Sequence, residues 1–460
     1  MNCRMTGFGP FTFAASLMAA GALLAITTPS PARAATPPAA DAEPAAPVGA
    51  LLADAACLVA WLRDRNADVG AAAARVTQAE GEMAQSRLRP NPSMALSLSD
   101  VTVGSTNPQG LRFADTSIYA LTMSQTLEVG KRGPRMESAR LRLGSERQSY
   151  FDTLAQKTAE AREALGRVAY LKSRQALLQQ SRAAAREMLD LQRSRLDKGD
   201  LSGNDYDRLL LDTILLESEL SRNESEYRAA GLACGALLGA PCEADDADFK
   251  AMEASAAAAP PTDAAEALLL RRADLQALSL AARSARQEAV LARRRAVPDP
   301  NLSVGYTRDY LTISGDQPRS LVFNVSLPIP AFDRGQHDAA RAEAHAAELE
   351  LTGRAVAARA RAELASLTER RASLEATARR LRVEAIPRSA SILEATVAAV
   401  DQGELSMTDL LLARRTHTEL VLKAMELQWS AFSVSNELRQ TLGLDAELAR
   451  DAAAQRGAGP

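Results

Sequence analysis

Residues 320–327 read Ser320-Leu321-Val322-Phe323-Asn324-Val325-Ser326-Leu327. Leu321, Phe323, Val325 and Leu327 fall on one side of an extended chain, and Ser320, Val322, Asn324 and Ser326 fall on the other. This period-two alternation predicts a β-strand with one large apolar face and one small, wetter face. The pattern recurs in Ser93 to Ser99, through Met94, Leu96 and Leu98, and again in Tyr119, Leu121 and Met123 and in Leu302, Val304 and Tyr306. It suits a soluble antiparallel sheet, and equally a membrane barrel with lipid outside and water inside. The strands alone leave both open.

Working outward, the chain contains one long unit twice. Pro90-Asn91-Pro92 returns as Pro298-Asp299-Pro300, and Lys131-Arg132-Gly133 as Asp333-Arg334-Gly335. Lys198-Gly199-Asp200-Leu201-Ser202 returns as Gln402-Gly403-Glu404-Leu405-Ser406, and Leu238-Gly239 as Leu442-Gly443. Landmarks in one order at nearly one spacing indicate a duplicated, domain-sized element, too long for a solenoid repeat. Each unit holds a helical approach, two strands, a very long helix, a Gly-containing turn and a returning helix. Beyond Pro134 no proline interrupts the chain to Lys198, and Leu154, Ala161, Leu165 and Val168 recur at helical spacing. A helix of that length spans ~96 Å. Its counterpart runs from Gln336 to Gln402, with Pro387 predicted to kink it.

Helices this long exceed a compact domain and require a bundle, a coiled coil or a tube. Faces rich in alanine, such as Ala183 to Ala185 and Ala355 to Ala358 apart from Val356, suit helices packed closely in a thin wall. Four strands cannot enter a bilayer alone, because lipid does not tolerate open sheet edges and the smallest membrane barrels need about eight strands. Several copies must contribute strands, and three of them begin to leave a lumen.

Composition narrows the function. With 54 Lys+Arg against 57 Asp+Glu the net charge is −3, so nothing draws the chain to nucleic acid. Three His and four Cys argue against a multi-site metalloenzyme. No Gly-rich phosphate loop or nucleophile–base pair is present, so neither an enzyme nor a bound cofactor is expected. His337 and His345 lie two turns apart on one helix, which without a third ligand makes a poor metal site. His417 stands alone. Arg4, the uncharged run Phe11 to Ile26 and Ala32-Arg33-Ala34 form a secretory signal with cleavage expected after Ala34. No later run reaches ~18 apolar residues, so any membrane span must be made of strands. In an oxidising compartment Cys234 and Cys242 can pair across Gly239-Ala240-Pro241; the alternative is that they stay as thiols beside Cys57.

The order of segments resembles the outer-membrane efflux proteins, the TolC-like trimeric exit ducts, over about residues 66–444. The resemblance rests on Arg87-Leu88-Arg89-Pro90-Asn91-Pro92-Ser93 and Pro298-Asp299-Pro300-Asn301-Leu302 before strands. It rests equally on Ser124-Gln125-Thr126-Leu127-Glu128-Val129-Gly130-Lys131-Arg132 and Ser326-Leu327-Pro328-Ile329-Pro330-Ala331-Phe332-Asp333-Arg334-Gly335-Gln336 after them. It implies a mainly α fold with a small membrane β-barrel: a homotrimer whose twelve-strand barrel crosses the outer membrane over a periplasmic α-helical barrel. The implied partners are outer-membrane lipid, a periplasmic adaptor (membrane fusion) protein and an inner-membrane resistance-nodulation-division pump. The Leu-Glu-Val-Gly-Lys-Arg and Pro-Ile-Pro-Ala-Phe-Asp-Arg-Gly-Gln stretches are most similar to the heavy-metal branch, which serves cobalt–zinc–cadmium or nickel–cobalt pumps.

The resemblance also places Gly199, Asp205, Gly403, Leu405 and Asp409 at the periplasmic aperture. Gly suits the strained backbone of a helix end, and Asp can cap the returning helix while carboxylate rings favour cations. Leu405 stands where some members carry an aperture Arg, and Arg208 and Leu412 stand where a further Asp is found. Closure is therefore expected to rest on packing of Leu405. Leu321, Phe323, Val325 and Leu327 are the expected lipid-facing residues. The resulting organisation is a signal peptide (1–34), an N-terminal linker with a short helix (35–66), repeat 1 (67–244), a linker (245–272), repeat 2 (273–444) and a flexible tail (445–460). A periplasmic coiled-coil adaptor is the alternative reading. It accounts for export and for helical hairpins, but not for two pairs of strands at the same place in each unit.

Overall fold

The computed structural model describes residues 45–105, 109–257, 265–310 and 317–455; the expected signal peptide lies outside the described residues. A two-residue strand β1 (Ala46–Pro47) and helices α1 (Val48–Ala53) and α2 (Ala55–Arg65) lead in. The first half runs α3 (Ala67–Ser86), β2 (Ser93–Ser99), a single turn α4 (Phe113–Thr116), β3 (Ile118–Thr126), α5 (Arg132–Asp197) and α6 (Gly203–Leu238). Strand β4 (Cys242–Glu243) and helices α7 (Asp248–Ala257) and α8 (Ala265–Leu270) connect the halves. The second half runs α9 (Ala273–Arg293), β5 (Asn301–Asp309), β6 (Arg319–Ser326), α10 (Gln336–Arg380), a π turn at Leu381–Ala385, α11 (Ile386–Asp401) and α12 (Met407–Thr441). Helix α13 (Leu444–Gln455) follows. The molecule is thus mainly helical with a few strands.

The sheet is four-stranded in the order β2-β3-β5-β6, antiparallel throughout. Each half supplies one hairpin, and β3 against β5 joins them. The register carries the alternation across strands, with Leu96 beside Leu121, Leu121 beside Tyr306, and Tyr306 beside Leu321. Met94, Met123, Val304 and Phe323 form the neighbouring row. All eight side chains are exposed, Phe323 to 77%. On the opposite face Ser93, Ser124, Ser303 and Asn324 are aligned in the same way. Prolines end the helices that feed β2 and β5, since proline disfavours a helical residue before it. Asp299 then accepts from Val129 N at 2.9 Å and Lys131 Nζ at 2.7 Å, tying the entry of β5 to the exit of β3.

The hydrophobic core lies around the middle of α5, far from the sheet. Leu58 and Leu62 of α2, Leu154, Leu165 and Val168 of α5, Leu238 of α6, Met252 of α7 and Phe432 of α12 are enclosed there. The Trp61 indole donates to Leu238 O at 2.9 Å, and Ala46 N donates to Pro241 O at 2.8 Å. Cys234 and Cys242 form a disulfide with Cα atoms 5.9 Å apart, which fixes β4 to the end of α6.

Two expectations are corrected. Residues 445–455 are not a flexible tail: Ala446 and Ala449 enter the core, and Asp445 is buried, accepting from Arg439 Nη2 at 2.8 Å with Arg162 Nη1 at 3.8 Å. The linker 245–272 contains α7 and α8, because Phe249 and Ala256 pack on the core and Met252 enters it. Before Pro387, where the sequence predicts a kink, the helix is interrupted by a π turn. Proline has no N–H to offer the carbonyl four residues earlier, here that of Val383, and the extra residue of the π turn absorbs the mismatch.

Candidate functional site

Two helical turns close the hairpins α5–α6 and α11–α12, and they are built alike. In the first, Gly199 N donates to Leu196 O at 3.0 Å and Asp200 N to Arg195 O at 2.9 Å. In the second, Gly403 N donates to Val400 O at 3.1 Å and Glu404 N to Ala399 O at 2.9 Å. This pair of bonds is the Schellman ending, and it puts the glycine in the left-handed region. Gly199 has φ 82° and Gly403 has φ 76°, with open space around each. Glycine is needed there for backbone conformation, not for room.

The returning helices are capped by serine. Ser202 Oγ accepts from Asp205 N at 3.2 Å, and Ser406 Oγ accepts from Asp409 N at 3.3 Å. Each hydroxyl donates back to the aspartate, at 2.9 Å to Asp205 and 2.5 Å to Asp409. In the second turn Ser406 N also donates to Asp409 at 3.1 Å, completing a capping box. The Ser406 hydroxyl and backbone N–H hold the Asp409 carboxyl below the usual aspartate range, so it is an anion at neutral pH. Ser202 and Ser406, rather than the aspartates expected to cap, are the N-cap residues, and Ser-x-x-Asp is visible in the sequence at both places.

The structure brings the two turns together. Arg208 Nη1 lies 3.9 Å from Asp205 and donates to Thr408 Oγ1 at 3.5 Å, so one arginine bridges the starts of α6 and α12. Leu405 is 45% exposed, outside any core of the single chain. The tip therefore presents anionic Asp409 with an arginine and an exposed leucine close by. Among the described residues no group of three or more His, Cys, Asp or Glu is arranged for a metal ion. His345 Nδ1 lies 3.3 Å from Glu348, and His417 Nδ1 lies 2.9 Å from Ser389 Oγ.

The second notable surface is the apolar sheet face. Leu321, Phe323 and Val325 lie on it, and Leu327, one residue beyond β6, is exposed as well. β2 and β6 end the strand order, so each has an edge that no strand among the described residues covers. Among the described residues no helix is long and apolar enough to cross a membrane.

Solved structures share this architecture. CusC, a protein studied for its transmembrane channel formation, superposes with TM-score 0.70 at 16% identity over 85% of this chain and 92% of its own. The outer membrane protein VceC of Vibrio cholerae gives 0.68 at 19% identity over 85% and 96%. The MtrE outer membrane channel of Neisseria gonorrhoeae gives 0.67 at 16% identity over 85% and 89%. At these identities the likeness is one of fold. The sequence matches no family model and no curated protein.

Proposed function

We propose that this chain is one protomer of a homotrimeric outer-membrane exit duct, through which a pump–adaptor complex passively discharges its cargo. The observation that carries the reading is the sheet: among the described residues its apolar face is left bare in one copy and its two edges have no partner strand. A bare face of this kind is costly in water and stable in lipid, while open edges are not tolerated in lipid. Three copies joined β6 to β2 cover every edge and make a twelve-strand barrel with a lumen. Leu321, Phe323, Val325 and Leu327 then face lipid, and the helices of both repeats continue the tube on the periplasmic side. The shared fold of CusC, VceC and MtrE supports this reading.

At the far end of the tube, Asp205 and Asp409 from three copies form carboxylate rings, and Leu405 packs with its counterparts to narrow the opening. The cargo is a divalent heavy-metal cation, delivered by an inner-membrane resistance-nodulation-division pump through a periplasmic adaptor. A duct of this type binds its cargo weakly, since tight binding would slow exit. The first test is to isolate outer membranes, solubilise in mild detergent and weigh the unheated assembly. Three times a mature chain somewhat below 49.0 kDa is expected; a monomer, or absence from the outer membrane, removes the barrel. In planar bilayers Asp205→Ala with Asp409→Ala is expected to lower cation selectivity. Unchanged selectivity would leave both residues as partners of the helix caps alone.

A further inference from the structure

The outermost row of the apolar sheet face differs from the rows beneath it. Its occupants, in strand order, are Leu98, Tyr119, Arg308 and Arg319. The row belongs to the loop end of the sheet, away from the long helices, because β3 and β6 begin there and β2 and β5 finish there. Arg308 and Arg319 are direct cross-strand partners, both exposed, on the same side as Tyr306 and Leu321. Like charges directly opposed on neighbouring strands repel. Among the described residues neither guanidinium has a carboxylate at ion-pair distance, and Asp309 falls on the other face of β5.

Arg308 is nevertheless held in place. Its guanidinium lies over the Tyr310 ring, 4.6 Å from the centroid, and Tyr310 meets Tyr119 edge-on at 5.9 Å. Stacking on a ring engages the flat face of a guanidinium and leaves its in-plane N–H donors for an acceptor. Arg308 and Arg319, paired across the strands, match one phosphate, whose oxygens take paired N–H bonds and turn the repulsion into attraction. Tyrosines mark the level of lipid headgroups in membrane proteins, and the apolar rows begin immediately beneath.

We propose that Arg308 and Arg319 clamp the phosphate of a lipid headgroup at the loop-side surface of the membrane. The proposal rests on the barrel reading above, and the test separates the two. The full-length assembly is reconstituted into phosphatidylcholine vesicles with and without phosphatidic acid, floated on a density gradient, then released in mild detergent for native mass spectrometry. The wild type is expected to float with both vesicles and to retain phosphatidic acid. Arg308→Gln with Arg319→Gln is expected to float equally and retain ~10-fold less, while Arg308→Lys with Arg319→Lys keeps most of it. Equal retention by the glutamine variant overturns the clamp, as does a wild type that floats but retains no phosphatidic acid. Complete displacement by inorganic phosphate would make this a general anion site and overturn the lipid assignment. A wild type that floats with neither vesicle overturns the barrel reading, and the clamp with it.

Discussion

The two long helices produced by the duplication have equal length and unequal surroundings. Helix α5 runs unbroken for 66 residues, while its counterpart is divided into α10, the π turn and α11, of 45, 5 and 16 residues. α5 packs against α3, α6, α9, α12 and α13, and it encloses Leu154, Leu165, Val168, Leu171 and Leu178. α10 rests mainly on α9 and α12, and it encloses only Ala339, Ala346, Ala360 and Leu367. Leu351, Val383 and Ile392 stay exposed along that second line. One copy thus completes the surroundings of the first helix and leaves the second as an edge. Duplication supplied two similar rods; position in the fold decided which one accumulated a core.

The sharpest way to break this comparison is a methyl group. Gly166 lets the Phe432 ring lie against the backbone of α5, and a Cβ there would sit 2.4 Å from the ring. Trp429 is stacked between Phe432 and Tyr170, which blocks retreat of the ring. Gly166→Ala is expected to cost ~3 kcal/mol in denaturant unfolding. Gly353 on α10 has Leu278 Cβ no nearer than 4.0 Å, so Gly353→Ala is expected to gain ~0.5–1 kcal/mol from helix propensity. Equal effects would erase the distinction between core rod and edge rod.

A smaller effect concerns a carboxyl that α5 buries and α10 has no equivalent of. Burial, and behind it the negative charge of Asp274, lifts Asp152 from 3.8 to about 6, although Arg272 and the Gln156 amide oppose the rise. The folded chain therefore holds this proton at a higher pH than the unfolded chain does. Stability falls as pH rises from ~4 to ~6 and stays lowered above that window. Asp152→Asn keeps an acceptor for Gln156, and it is expected to stabilise by about 2 kcal/mol at pH 7.5 with no gain at pH ~4. Thermal melts across that range check both the size and the sign.

The smallest effects lie at the tips, where the comparison reverses and the second half is the better built. Ser202→Ala and Ser406→Ala are each expected to cost ~1 kcal/mol of local stability. The loss should be greater at Ser406, whose capping box is complete. Faster amide exchange at residues 407–411 than at 203–207 in the respective variants is the outcome to look for.

Much of this architecture is legible in the residue order because its signals are local. Alternation marked the four strands of the large sheet, freedom from proline marked α5, and the repeated Gly-containing stretches marked the two turns. What escaped depends on tertiary contacts. Residues 445–455 carry no strong apolar stripe, and Asp445 becomes a helix residue in the core only because Arg439 and Arg162 meet it there. Helix α7 is short, and what holds it is Met252 reaching the core. At the tips the sequence points to Asp205 and Asp409 as both caps and charges, while the serines three residues earlier define the helix starts. Arg308 and Arg319 were hidden for another reason: only strand register places two distant arginines side by side.

The sheet face has a consequence for the journey of the polypeptide. Its apolar residues occupy alternate positions in four short stretches drawn from both halves of the chain, and β3 can meet β5 only after both halves exist. Among the described residues no single helix is long and apolar enough to stop in a bilayer, so on the duct reading proposed above the chain is threaded through one membrane without being caught in it. On that reading its oily surface comes into being by folding, and a bilayer recognises it only at the destination.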